Sequence, residues 1–131
     1  MSRGGPAPAA RAAAYYHALT RGDIEVVLAM FAPDAEMRDP VGAPAASTDM
    51  ERRQRYAAID AAFASFTISA EEIIGGGADE AAARWRVVAR THGGREVRFT
   101  GVSIFVFDAD GRIARMSAYW DAATVAAAMA G

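Results

Sequence analysis

The stretch YYHALTRGDIEVVLAMFAPDAEMRDPVG, Tyr15–Gly42, packs several changes of local structure into one short run. It begins with helical spacing, and Gly22 offers a stop. Asp23 is a residue type that caps a following helix, and IEVVLAMF continues as that helix until Pro33 halts it. AEMRD is then a short strand, and Asp39 stands directly before Pro40. Proline biases the residue before it toward extended geometry and has no N–H for a ladder, so Asp39 marks where a strand ends and a loop begins. An aspartate there has a plain reading, since Asp favours turns. It also has a chemical one, as a carboxylate at the edge of a cavity. The rest of the chain decides between them.

On the N-terminal side, residues 1–7 are small and Pro/Gly-rich and read as a flexible lead. A first helix follows over Pro8–Thr20, with Pro8 tolerated in its first turn. On the C-terminal side, GAPAAST is a loop. Thr48 with Glu51 three residues on is a capping box, opening a third helix that runs to about Phe63.

The apolar period then drops to two. FTISAEEII at 66–74 reads as a strand and GGG at 75–77 as a turn. Over 83–90, Ala83, Trp85, Val87 and Ala89 face one way and Arg84, Arg86, Val88 and Arg90 the other. HGG at 92–94 is a hairpin turn. The next strand, Glu96–Phe107, puts Val97, Phe99, Gly101, Ser103, Phe105 and Phe107 on one face. From Val102 its other face is apolar too, which points to burial by the core on one side and a second subunit on the other. DADG at 108–111 turns into a last strand, Arg112–Trp120, and Asp121 caps a short alanine-rich helix. The expectation is one α+β domain over residues 8–131: three helices, then a mostly antiparallel meander bent over them. Such a bent sheet leaves a pocket between the layers.

Composition limits the function. The chain has 131 residues, over half of them apolar, which suits a single core. Its net charge is −2 with mixed signs, so no nucleic-acid footprint is present. All 14 basic residues are arginine, which reflects codon bias, and no cysteine is available for disulfides or thiolate metal sites. No stretch has the apolar length of a signal peptide or a membrane span, and a cytoplasmic protein is expected. His17 and His92 form no cluster with metal spacing, and GGG precedes another strand rather than a helix, so neither a metal nor a phosphate cofactor is expected.

With these elements in place, three segments resemble the ketosteroid isomerases of the nuclear transport factor 2-like superfamily, which also holds the SnoaL-like polyketide cyclases. They are the opening stretch at 15–42, RYAAI at 55–59 and GRIARMSAYW at 111–120. The resemblance implies a cone-shaped curved sheet wrapped around the helices, and a homodimer formed through the sheet. It implies a hydrophobic small-molecule substrate, steroid- or polyketide-like. In ketosteroid isomerases an Asp base works with an oxyanion hole of one Tyr and one protonated Asp.

Carried onto this chain, the resemblance makes Asp39 the base and Tyr15 the oxyanion donor, with Tyr56 on helix three supporting Tyr15. Phe31 replaces a further tyrosine of the family. Ser103 stands where the family has its second acid, eight residues before Gly111, and a serine hydroxyl is a weaker donor there. Trp120 and Trp85 fall where the family lines its pocket, and Phe31, Val87, Phe99, Phe105 and Met116 are expected to complete the apolar lining. Tyr15 shares a helical face with Ala12 and Leu19, whereas Tyr16 points about 100° away, so only one of the two is expected to face the pocket. Asp60, one turn after Tyr56, is a candidate second carboxylate.

Three functions follow from these residues. One is an isomerase, with Asp39 moving a proton and Tyr15 holding the dienolate oxygen. Another is a polyketide-type cyclase or epoxide-opening enzyme, using Asp39 with Asp60. The third is a hydrophobic-ligand binder without chemistry.

Overall fold

A computed structural model describes residues 6–130. Much of the lead expected over residues 1–7 therefore lies outside the described residues. The elements run α1 Pro8–Thr20, α2 Ile24–Ala29, β1 Phe31–Arg38, α3 Asp49–Ala62, β2 Phe63–Gly76, β3 Glu80–Thr91, β4 Glu96–Phe107, β5 Ile113–Tyr119 and α4 Ala122–Ala130. The five strands form one curved, unclosed mixed sheet in the order β1-β5-β4-β3-β2. The β2, β3, β4 and β5 neighbours pair antiparallel, and β1 joins β5 in parallel. This is the α+β, nuclear transport factor 2-like fold expected from the sequence.

Most element signals act as written. Pro8 opens α1, and Gly22 follows it at φ +73°, a backbone conformation that only glycine adopts freely. The Thr48 hydroxyl accepts from the Glu51 backbone N–H at 3.1 Å, and the Glu51 carboxylate accepts from the Ser47 N–H at 2.9 Å. The capping box is thus present, closed on the residue before its expected partner. Asp121 Oδ1 accepts from the Thr124 N–H at 3.1 Å and starts α4. Asp23 departs from expectation: it precedes α2 but makes no side-chain cap, and its carboxylate faces Arg21 at 3.5 Å.

The largest departure is in the opening stretch. Pro33 does not stop a helix; it lies inside β1, which begins at Phe31. β1 is an edge strand, where a missing N–H costs little. Its register against β5 shifts between Phe31 and Glu36. The carbonyls of this irregular segment are taken up by Arg52 of α3. Its guanidinium donates to Ala35 O at 2.6 Å and to Ala32 O and Pro33 O, each at 3.2 Å. The same group lies 5.2 Å from the Phe31 ring centroid. Arg52 is 1% exposed, so a helix surface that looks polar in sequence instead clamps β1 to the domain.

The glycine run also divides differently. Gly75 and Gly76 finish β2, and only Gly77, at φ +61°, belongs to the turn. On β3 and β4 the alternation is as expected, with Ala83, Trp85, Val87 and Ala89 buried opposite Ser103, Gly101, Phe99 and Val97. On the outer face, Arg84 and Arg86 pair with Glu71 at 3.2 and 3.3 Å. Helix α1 packs on β2 and β3, and α3 on β2, so the concave side of the sheet is covered by helices except where a cavity remains. Among the described residues no helix is long and apolar enough to cross a membrane.

Candidate active site

The parallel pairing of β1 with β5 sets the site. Arg38 is level with Ser117, so the ends of both strands lie at the same edge of the sheet. Asp39 leaves β1 there, through a cis Asp39–Pro40 bond, and the next turn is tied to β5 by Val41 N–H donating to Ala118 O at 2.8 Å. Trp120 leaves β5 at the same level. Its indole N–H donates to Asp39 Oδ1 at 2.6 Å. Although Asp39 as a residue is only half-buried, its carboxyl is enclosed. Burial raises its pKa above the ordinary carboxylate value, against the opposing pull of the Trp120 hydrogen bond and the Arg55 charge.

Across the cavity, α1 and α3 bring Tyr15 and Tyr56 together, their hydroxyls 2.6 Å apart. Both rings are buried, and burial above all holds both phenols well above their usual pKa. They are neutral donors at any physiological pH. One hydroxyl must donate to the other, which leaves one proton of the pair to offer elsewhere.

Between these groups lies a cavity of about 300 Å³. Its lining is overwhelmingly apolar: Leu19, Ile59, Phe63, Phe66, Ile68, Trp85, Phe99 and Met116, with Val125 and Met129 reaching in from α4. The polar groups are few: Asp39, Arg55, Tyr15, Tyr16, Tyr56, Ser103 and the Trp120 indole. Asp39 is the one carboxylate lining it among the described residues. No group of three or more potential metal ligands occurs among the described residues. A concave apolar chamber with a few convergent polar groups suits one small hydrophobic ligand whose polar atom is held at a fixed place.

Comparison with known proteins agrees with this architecture. The family profile described as SnoaL-like domain matches residues 12–116. The chain belongs to the SnoaL-like family. Its similarity to a steroid Δ-isomerase of Nocardioides simplex is 32% identity over 111 residues, covering 85% of this chain and 87% of that protein. Two solved structures share the SnoaL-like fold at low identity. One is a Mycobacterium tuberculosis protein in complex with estradiol-17β-hemisuccinate, with a TM-score of 0.80 and 22% identity, covering 90% and 97% of the two chains. The other is SalBIII, an epoxide hydrolase/cyclase-like enzyme of pyran ring formation in the polyether salinomycin, with a TM-score of 0.78 and 20% identity, covering 86% and 89%.

Within this SnoaL-like chamber, the sequence-expected residues divide. Asp39, Tyr15, Tyr56, Ser103, Trp85, Phe99, Met116 and Trp120 all line it. Phe31, Val87 and Phe105 do not. Phe31 sits behind the tyrosines, with its ring centroid 6.3 Å from Tyr15 and 6.5 Å from Tyr56. Phe105 lies beneath Tyr15 and Tyr16 at 5.3 and 5.8 Å, and Val87 is fully buried in the sheet core. They are inward-facing but one layer deeper than the ligand space. Asp60 is exposed and borders an adjoining groove with Thr20, Gly22 and Ile24, which shares Leu19, Tyr56, Ile59, Phe63 and Phe66 with the chamber; Asp60 itself does not line the chamber beside Asp39.

Tyr16 corrects the expectation that only one of the paired tyrosines faces the cavity: both line it. Their rings meet edge-to-face at 5.1 Å, and the chamber wraps far enough around α1 to take in both directions. Arg55 and the α4 pair Val125 and Met129 line the chamber as well, without a motif of their own; the one sequence signal is the position of Arg55 inside RYAAI, one residue before Tyr56.

Proposed function

We propose that this protein is an isomerase that moves a double bond into conjugation with a ketone, on a flat hydrophobic substrate of steroid type. The observation that carries the reading is the single enclosed carboxylate. Asp39 stands at one side of an apolar chamber whose other side presents a neutral Tyr15–Tyr56 hydroxyl pair. The similarity to a steroid Δ-isomerase supports it.

For a β,γ-unsaturated ketone the steps balance without any other reactant. The Asp39 carboxylate takes a proton from the α carbon, and that C–H electron pair delocalises onto the adjoining carbonyl oxygen and, through the alkene, onto the γ carbon, giving a dienolate. The Tyr15 hydroxyl donates to this oxygen, where preorganised donors in a dry site act most strongly. The carboxylic acid formed at Asp39 returns the proton to the γ carbon, and the carbonyl reforms. A carboxyl lifted toward neutrality by burial suits both halves of this cycle. Trp120 holds it in place during the exchange.

Ring-forming or epoxide-opening chemistry by a carboxylate pair is disfavoured, because Asp60 is exposed and does not line the chamber that holds Asp39. A passive binder leaves without a use a carboxyl that the Trp120 indole holds at the chamber wall, opposite the Tyr15–Tyr56 hydroxyl pair. Pairing of two copies over the outer face of β4, where Val102 is 40% exposed, belongs to the same proposal, and sedimentation at graded concentrations tests it.

The experiment is turnover of a Δ5-3-ketosteroid, followed by absorbance of the conjugated enone. Wild type is expected to turn over, and Asp39→Asn to lose about a thousandfold or more, as expected when the proton carrier is removed. Steroid binding with no turnover in wild type would remove the reading.

A further inference from the structure

Tyr16, Ser103 and Arg55 are the polar groups of the chamber that the mechanism above leaves unused, and of these Tyr16 is the one with an unpartnered buried polar atom. Its residue is 4% exposed, it lines the cavity, and its hydroxyl has no hydrogen-bond partner among the described residues. A buried hydroxyl left unpaired costs about 1–3 kcal/mol. A side chain held so within a ligand chamber needs an acceptor from somewhere.

The neighbouring group is Ser103. It is buried, lines the same cavity, and its Oγ accepts from the Trp85 indole N–H at 2.9 Å. The direction is certain, because an indole N–H only donates. Trp85 reaches this position because β3 and β4 pair Trp85 with Gly101 and Ala83 with Ser103. A side chain at 101 would sit 2.3 Å from the Trp85 ring, so glycine there lets the indole lie along β4 toward Ser103. Tyr16 is close enough to Ser103 for that hydroxyl to ease its ionisation slightly, though burial dominates and drives its pKa up. The contact falls short of hydrogen-bond geometry.

Counting protons gives the consequence. With one Ser103 lone pair held by Trp85, the two hydroxyls have two protons between them. Tyr16 has no acceptor for its proton, and two neighbouring hydroxyls can take up at most one proton between them, so at least one O–H remains, and both residues border the ligand chamber. Unlike Tyr15–Tyr56, the two are not hydrogen-bonded to each other, and the ring contact between Tyr15 and Tyr16 sets the two pairs of hydroxyls side by side.

We propose that Tyr16 and Ser103 together supply a second hydrogen-bond donor to the ligand's oxygen, where ketosteroid isomerases carry a protonated acid. The chamber then takes a flat apolar ketone whose one oxygen receives two neutral donors, one from each hydroxyl pair. Trp85 positions the second pair without touching the oxygen. The proposal deepens the isomerase reading and rests on it only for the identity of that oxygen as the one that becomes the enolate.

The test is the preference of the protein for 2-acetylnaphthalene over 2-isopropenylnaphthalene, which has the same shape without the acceptor. Each Kd is measured by fluorescence titration. Wild type is expected to prefer the ketone, and Tyr16→Phe to reduce that preference about five- to tenfold, the effect of one neutral hydrogen bond. Its Kd for the hydrocarbon should stay within twofold, which shows that the chamber is intact. The carbonyl stretch of the bound ketone should move to higher frequency in Tyr16→Phe, as it loses a donor. Should Tyr16→Phe fail to fold, Ser103→Ala reads the same stretch, and a shift from wild type is expected.

An unchanged preference and an unchanged stretch in Tyr16→Phe would overturn the proposal, all the more clearly where Tyr15→Phe lowers the preference and raises the stretch. So would a wild type that binds both ligands equally. A ketone preference that falls in Tyr16→Phe in a protein with no isomerase turnover would sink the isomerase reading and leave the second donor standing.

Discussion

Trp120 and Asp39, far apart in the chain, meet through one hydrogen bond of 2.6 Å from the indole N–H to Oδ1. The parallel pairing of an edge strand with the last strand makes this contact possible, and it has a measurable consequence for the acid. A donor to the carboxylate favours its charged form, and here it works against burial. Trp120→Phe is therefore expected to raise the Asp39 pKa further, because it removes the donor that favours the charged form and leaves burial less opposed. The acid limb of the pH–rate profile should move to higher pH, and the midpoint of the Asp39 carboxyl carbon shift in an NMR titration should move with it.

The same burial makes Asp39 a cost to stability. Its folded pKa lies above the ordinary value of 3.8, so the folded chain holds a proton at pH values where the unfolded chain has released it. Stability then falls as pH rises from about 3.8 through the folded pKa. Asp39→Asn keeps an acceptor for Trp120 and removes the charge. It is expected to raise Tm at pH 7, with the gain shrinking to nothing as pH falls below 3.8; equal Tm values at pH 7 would contradict this.

The tyrosine pair gives a graded prediction. Tyr15→Phe removes the hydroxyl that meets the ligand oxygen and should cost about a hundredfold in kcat. Tyr56→Phe removes its support and should cost about tenfold. Because burial holds both phenols above their ordinary pKa of 10, neither should produce an alkaline limb below pH 10.

Arg52 should matter for the fold alone. Arg52→Met keeps most of the side chain's bulk but leaves the carbonyls of Ala32, Pro33 and Ala35 without their donor. Urea denaturation is expected to show a loss of about 3 kcal/mol, since buried acceptors lose their partner. Affinity for a hydrophobic ligand should be unchanged under conditions where the variant is folded.

Where sequence and structure agree, the signals are local. The bounds of α1 and β4 follow from a proline at entry, a glycine at exit and an unbroken period of two. The place of Asp39 at the chamber wall is legible because Asp-Pro marks a strand end and because the surrounding words resemble a family. The start of β1 was not legible, because Phe31, Ala32 and Pro33 extend the apolar run of α2, and only the edge position excuses the proline. Nor was the β1–β5 pairing, which depends on distant segments. Helical geometry that holds for a flat surface turns Tyr16 away, and it fails for a chamber wrapping around α1. The period of two puts Gly101 on the inward face, yet its role in seating Trp85 depends on a cross-strand neighbour that the sequence does not identify. Arg52 looked like one more charge on a polar helix.

The most direct test of the central claim, that one enclosed carboxyl both takes and returns the proton, uses a β,γ-unsaturated ketone deuterated at the α carbon, turned over in ordinary water. A single Asp39 carrier in a dry chamber predicts deuterium at the γ carbon of the product, above the solvent background and lost in Asp39→Asn. Product formed by wild type with only solvent hydrogen at that carbon would contradict the account.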